Sequence, residues 1–230
     1  MNDIGPFELN KIYNMDCLQA MKLMPDECVN MVLTDPPYNA SNSGIKFGDY
    51  TTVKEKWDQD FEPKYFFDIA FNKIKPGGSI IAFCSYHTLG QYLSYKTPQQ
   101  IIHWEHITAL PAVAKVYTPV VEYAVWYTTP RYTFNKRFAK TNVLRNKKAY
   151  MVDHKTEHPT QKPSDLIMDL LAVHTQPGDT ILDPFIGSGT TAVACIKTDR
   201  NFIGFEIDKG YYDIANKRIE AEQAQLRLEL

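Results

Sequence analysis

The sequence predicts an α/β protein built on a mostly parallel sheet with helices on both faces. Three observations carry this. Segments of strand length and β-branched content alternate along the chain with segments of helical period. The strand candidates are short, continuous apolar runs, as expected for strands buried on both faces. Two unusual strings, Asp35-Pro36-Pro37-Tyr38 and Asp183-Pro184-Phe185-Ile186-Gly187-Ser188-Gly189, stand at the ends of two such runs, where ligands bind on sheets of this kind.

The elements follow in order. Leu18, Met21 and Leu23 carry a helical period that stops at Pro25, and Val29-Asn30-Met31-Val32-Leu33 then reads as a buried strand running into Thr34 and Asp35. Residues 39–60 are polar and contain glycine without a clear period, which suits a long mobile loop of functional type. Residues 64–74 look helical. Pro76-Gly77-Gly78 reads as a turn, and Ser79-Ile80-Ile81-Ala82-Phe83-Cys84 as another buried strand. Residues 101–108 and 120–127 are further strand candidates. Pro163-Ser164-Asp165 opens a helix that ends near Gln176-Pro177-Gly178, before the short strand Thr180-Ile181-Leu182-Asp183. A helix after Gly189, a strand over residues 201–206 and a last helix complete the chain. Leu226, Leu228 and Leu230 of that helix have two candidate partners, the chain's own core or a second copy in a homodimer.

At 230 residues, 44% hydrophobic and 13% aromatic, the chain can bury one sizeable core, and one domain over residues 1–230 is expected. A formal net charge of −2 exerts no global pull on nucleic acid, so any such surface must come from local segregation of charge. Cys17, Cys28, Cys84 and Cys195 lie far apart with no CxxC spacing, which argues against a zinc site and a disulfide framework. The first residues have no apolar signal region and no run of about 18 apolar residues occurs, so a cytosolic protein without membrane contact is expected. Among the six histidines, His103 and His106 are three apart in a strand candidate and face opposite sides, so no metal site is expected.

Gly187, Ser188, Gly189 and Thr190 join a strand to a helix. Glycines there let a ligand approach the backbone, and a helix N-terminus offers amide donors to an anion. Glu206 ends the next strand nineteen positions after Gly187, the separation at which an acid in a βαβ unit reaches ribose hydroxyls. Loop and acid together suggest a nucleoside-containing cofactor. The loop alone also satisfies a relaxed dinucleotide pattern, so it does not separate a nicotinamide enzyme from a methyltransferase.

Thr34-Asp35-Pro36-Pro37-Tyr38-Asn39 resembles the DPPY signature of amino-group DNA methyltransferases, and Asp183 to Thr191 resembles their FxGSGT signature. With His158-Pro159-Thr160-Gln161-Lys162-Pro163 between them, the order is similar to the permuted β group of that family, and matching pieces run from Asn14 to Glu206. The resemblance implies a Rossmann-like, seven-stranded methyltransferase using S-adenosylmethionine, a double-stranded DNA substrate, a restriction–modification setting and no metal. It implies catalytic roles for Asp35, Pro36, Pro37 and Tyr38. It implies cofactor contacts from Asp183, Phe185, Gly187, Ser188, Gly189, Thr190 and Glu206, from Asp16 and Cys17, and from Lys162 near the cofactor's methionine end. Asp16 is equally placed to cap the helix that follows it. Asp rather than Ser before the prolines implies adenine N6, with cytosine N4 the alternative. Acceptors on an RNA base, a protein amide or a small amine are further alternatives, as is a non-catalytic DNA-binding module.

The chemistry fits those residues. An exocyclic amine is a poor nucleophile because its lone pair is delocalised into the ring, so nitrogen must be rehybridised and aligned with the methyl donor. Asp35 can accept one amine hydrogen and meet the developing positive charge, while the Pro36 carbonyl, held by two rigid prolines, accepts the other. Reaching the amine in a duplex requires base flipping, for which Tyr38 offers a stacking face.

Residues 131–148 hold Arg131, Lys136, Arg137, Lys140, Arg145, Lys147 and Lys148 without an acid, interleaved with Tyr132, Phe134 and Phe138. The run reads as a phosphate-tracking surface within a short recognition insert at about residues 131–157; the other reading is a solvated basic loop.

Overall fold

A computed structural model of the chain describes residues 3–38, 61–106, 120–139, 141–146 and 161–228. The loop expected over residues 39–60, the side chains of Lys140, Lys147 and Lys148, and His158, Pro159 and Thr160 lie outside the described residues. Along the chain run β1 (Lys11–Asn14), α1 (Cys17–Leu23), β2 (Val29–Thr34), α2 (Pro63–Lys73), β3 (Ile74–Cys84), α3 (Tyr86–Tyr95), β4 (Gln100–His106) and β5 (Val121–Thr128). After these come β6 (Val143–Asn146), α4 (Ser164–His174), β7 (Thr180–Asp183), α5 (Thr190–Lys197), β8 (Asn201–Glu206) and α6 (Lys209–Leu228).

The strands form one sheet in the order β1-β8-β7-β2-β3-β5-β4-β6. All neighbouring pairs are parallel except the two that β5 makes, with β3 and β4. The mostly parallel α/β expectation therefore holds, with eight strands among the described residues where seven were expected. The short strands β1 and β6 had no strand assignment in the sequence. Both sit at sheet edges, where one neighbour suffices and the apolar signal is weakest.

Alternation along the inner strands sends side chains into two cores. Ile80, Ala82 and Cys84 of β3 with Val125 and Tyr127 of β5 face Met21 of α1, Phe66 and Phe67 of α2 and Tyr92 of α3. Ile81 and Phe83 with Ala124 and Trp126 face Leu166 and Leu170 of α4, Ala192 of α5 and Ile219 of α6. Helices start where local chemistry provides caps: Asp16 accepts from the Gln19 amide at α1, and α2 carries Pro63 at its start with Glu62 accepting from Lys64.

The Pro76-Gly77-Gly78 turn is not a break between elements. It lies inside β3, whose pairing with β2 skips from Val29↔Ile74 to Met31↔Ser79. The turn residues form a bulge, with Gly77 at φ +89°. The rest of the ladder keeps its register, and it carries the chain to the site end of the sheet.

Candidate functional site

Because β2 and β7 are neighbours in the sheet, their carboxyl ends, and with them the two unusual strings, stand side by side. The Thr34 hydroxyl donates to Asp183 Oδ1 at 2.8 Å, tying the two ends together across 149 residues of chain. From here β2 leads to β3 on one side and β7 to β8 on the other, so the crevice is the point where strand order reverses.

On the β7 side, Gly187 (φ +52°) and Gly189 (φ +84°) take the left-handed conformation that favours glycine. At Gly189 a Cβ would meet the Ala215 Cβ at 3.0 Å, so this glycine also lets α6 close onto the loop. Glu206 holds the loop by accepting from the Gly187 amide at 2.9 Å through one oxygen and from Asp208 through the other. Burial raises its pKa, and these amides partly offset the rise. The hydroxyls of Ser188 and Thr190 are buried and face Arg218, whose guanidinium also donates to the Ser188 carbonyl at 2.7 Å. Phe185 packs edge-on to Phe61, with ring centroids 5.6 Å apart.

Asn14 pairs in register with Glu206, which brings the start of α1 to the same crevice. Asp16 there is the N-cap, accepting from the Gln19 amide at 2.8 Å. Cys17 is buried beside Asp16 and Glu206, and burial pushes its thiol far up, so it lines the site as an unreactive apolar group. All four cysteines are free and buried.

Asp183 is buried, accepting from Thr34, from the Phe185 amide at 3.1 Å and from Thr191. Burial raises its pKa from 3.8 to about 7 despite these donors. A carboxyl whose pKa rises on folding contributes stability fully below about pH 4 and loses it as pH climbs toward 7. Thermal melts between pH 5 and 8 should therefore show a steeper loss for the wild type than for Asp183→Asn. Parallel slopes would refute this.

On the β2 side, Asp35 is half-buried, with Pro36 and Pro37 buried and Tyr38 half-buried beside it. The Tyr38 hydroxyl donates to Asp35 Oδ1, and the Lys162 ammonium donates to Oδ2. Lys162 also reaches the Tyr38 oxygen at 3.2 Å and Glu122 Oε2 at 3.2 Å. It lies 5.1, 5.6 and 5.9 Å from the ring centroids of Phe83, Tyr38 and Trp104, within cation–π reach. Burial pulls the Lys162 pKa down, but the two carboxylates more than restore it, so this lysine stays charged. Burial raises the Asp35 carboxyl, the Lys162 charge opposes the rise and Glu122 adds to it. Burial and Asp35 hold Tyr38 protonated.

The structure thus brings together Asp35, Pro36, Pro37 and Tyr38 with the loop from Asp183 to Thr190, Glu206, Asp16 and Cys17. Lys162 is 7% exposed and its ammonium contacts the Asp35 end of the site. Sequence reasoning missed Glu122, Phe83, Trp104 and Arg218. Glu122 had a signal, an acid inside an otherwise apolar strand; the aromatic residues and Arg218 were indistinguishable from core and helix surface.

The described cations of the basic run, Arg131, Lys136, Arg137 and Arg145, do not stand together at one end of the sheet. Because β5 is reversed, it ends beside the start of β3, with Thr128 opposite Ser79. Arg131, Lys136 and Arg137 follow there, with the Thr133 amide donating to Gly77 and the Asn135 amide to Val173 near the end of α4. From Ser79 to Cys84 is roughly 17 Å of strand, which separates those cations from the site end. Arg145, on β6, is at the site end and is paired with Glu105 at 2.6 Å. Among the described cations of residues 131–148, only Arg145 lies at the sheet end that carries Asp35.

Among the described residues, no group of three or more His, Cys, Asp and Glu is placed to hold a metal. None of the helices described is long and apolar enough to cross a membrane.

Residues 29–217 match the family model for DNA methylase. The chain is 31% identical over 240 residues to Type II methyltransferase M2.DpnII of Streptococcus pneumoniae, covering 92% of this chain and 90% of that protein. It is 30% identical over 235 residues to Type II methyltransferase M2.MboI of Moraxella bovis, covering 90% and 86%. Among solved structures it is similar to the M1.HpyAVI–SAM complex, with 28% identity, a TM-score of 0.68 and coverage of 90% and 98%. The fold alone is also shared with the cytosine-N4-specific PvuII DNA methyltransferase, at 18% identity and a TM-score of 0.75. A family match over most of the chain, onto a crevice whose two walls carry the family's two signatures, makes the chain a member of the DNA methylase family.

Proposed function

We propose that this DNA methylase transfers a methyl group from S-adenosylmethionine to adenine N6 in duplex DNA, acting on a base flipped out of the helix. The observation that carries the reading is the Thr34–Asp183 bond, which fixes the Asp35 segment and the glycine loop as the two walls of one crevice.

The cofactor fits the residues present. Glu206 is a carboxylate at a strand's end beside the loop, Phe185 offers an apolar face, and Asp16 and Cys17 close the same corner. When bound, S-adenosylmethionine supplies an electrophilic methyl on a sulfonium centre. The chain supplies the rest. Asp35 and the Pro36 carbonyl accept the two amine hydrogens, drawing nitrogen out of conjugation with the ring. Tyr38 stays protonated, keeps Asp35 oriented through its hydroxyl and presents its ring to the extruded base. With two carboxylates and one ammonium, the Asp35, Glu122 and Lys162 group carries an excess negative charge, which favours the cationic amine formed on transfer. Arg145 at the same end contributes phosphate contact once DNA competes with Glu105 for it.

Asp at the head of the signature supports adenine N6 over cytosine N4. The test is transfer of labelled methyl from S-adenosylmethionine to unmethylated duplex DNA, followed by digestion and mass analysis of the nucleosides. N6-methyladenine is the expected product. N4-methylcytosine would overturn the base assignment, and no incorporation on varied duplexes would overturn the reaction.

A further inference from the structure

We propose that Glu122 is a positioning residue for the transfer: acting through the Lys162 ammonium, it fixes the Asp35 carboxylate and sets the net negative charge that meets the reacting amine. The inference rests on the reaction proposed above and adds to it a residue that neither signature contains.

The geometry begins with Lys162, which is buried and reaches Asp35 and Glu122 from the segment before α4. An ammonium is a mobile point charge on a flexible stem, and one carboxylate partner does not fix where it sits. The second partner, at 3.2 Å on β5, does so here, with the rings of Phe83, Tyr38 and Trp104 around the nitrogen. Glu122 is itself held in the sheet, opposite Trp104 of β4. The chain Glu122–Lys162–Asp35 therefore transmits the rigidity of the sheet to the mobile end of an acid at a strand terminus.

The charge is as important as the position. Were Lys162 paired with Asp35 alone, the pair would be neutral and would offer a developing cation little. Glu122 restores the excess negative charge without removing the ammonium that orients Asp35. Among the described residues, the groups facing Asp35 are Tyr38 on its own segment, Lys162, Glu122 on β5, Cys84 on β3, Tyr92 on α3 and Asp183 on β7. Of these, Glu122 and Lys162 are the strongest charged neighbours, and they act on Asp35 in opposite directions.

That opposition makes the test sharp. Protonating Asp35 removes the negative charge that meets the developing cation and weakens its acceptor oxygens, so its titration sets an acid limb in kcat/KM. Glu122→Gln keeps an acceptor for Lys162 and removes the charge that raises Asp35. Its acid limb should move to lower pH by about one unit, with kcat down about tenfold and S-adenosylmethionine affinity within about twofold of wild type. Lys162→Met should move the limb to higher pH. A group that merely packs β5 would lower kcat and leave the limb in place. A limb that stays, or rises, in Glu122→Gln overturns the inference; should that variant not fold, a limb that fails to rise in Lys162→Met overturns it. Titration of the Asp35 carboxyl by carbon-13 NMR without DNA reads the same coupling independently of turnover. A downward shift there with no methyl transfer by the wild type would sink the reaction and leave the coupling standing, whereas transfer with no shift would do the reverse.

Discussion

Asp35→Ala is expected to lower methyl transfer by about a thousandfold while leaving S-adenosylmethionine binding within about twofold of wild type. The size follows from what the side chain faces. Its two oxygens are taken by Tyr38 and Lys162, both fixed, so the carboxylate is pre-aligned before a base arrives and spends no reorganisation on it. Losing one pre-organised group at a developing charge costs a factor of about 100 to 1,000, and the lost group here is charged and an acceptor. Folding should survive, because Lys162 keeps Glu122 as an ionic partner and is not left as a lone buried cation. Single-turnover transfer to duplex DNA, beside a cofactor-binding titration, measures both halves. A variant retaining a tenth of the wild-type rate would show that Asp35 is not the acceptor, and one that loses cofactor affinity as well would point to a collapsed crevice.

The second large effect is on stability. Gly78→Ala should destabilise the chain by about 3 kcal/mol, at the top of the range for forcing a methyl into a packed site. A Cβ at Gly78 would lie 2.3 Å from Ile74 Cγ2, 2.5 Å from the Asn30 carbonyl and 3.0 Å from the Lys75 carbonyl. The last two are backbone of the β2–β3 bulge and cannot swing aside. Gly77→Ala is the informative comparison. Among the described residues its Cβ meets the Arg131 carbonyl alone, at 3.3 Å, but its φ of +89° strains any residue with a side chain, a cost of about 1–2 kcal/mol. Denaturant unfolding of both variants should rank Gly78→Ala as the more damaging. Equal losses would mean that the bulge yields, and β3 would then be a poor anchor for the Cys84 and Phe83 end of the site.

The same bulge shows where local reading stops. Pro76-Gly77-Gly78 is turn chemistry, and the chain does turn there, but only enough to skip residues between two ladder pairings before the strand resumes. Turn propensity reports backbone angles, and whether those angles end a strand depends on whether a neighbour takes up the ladder again. The edge strands β1 and β6 escaped for a related reason: four residues with one partner leave no periodic apolar signal.

The basic run shows a different limit. Arg131, Lys136, Arg137 and Arg145 are close in sequence and look like one patch. A single antiparallel strand, β5, carries the chain to the amino edge of the sheet before β6 brings it back. Composition records how many charges a segment has, and strand direction decides where they stand.

What the sequence determined by itself was therefore local: the inner strands and most helices, through period and caps, and the two signatures at strand ends, through rigid prolines and permissive glycines. These properties need no partner beyond a few residues away. Tertiary structure decided which ends meet. It placed Thr34 against Asp183, turned Ser188 and Thr190 toward Arg218, and set Glu122 and Asp35 on either side of Lys162. Such contacts are fixed by sheet order and by the burial of charge. A buried ammonium needs partners that converge on it; for Lys162 they are carboxylates brought together from separate parts of the sheet, and no local stretch of residues carries that information.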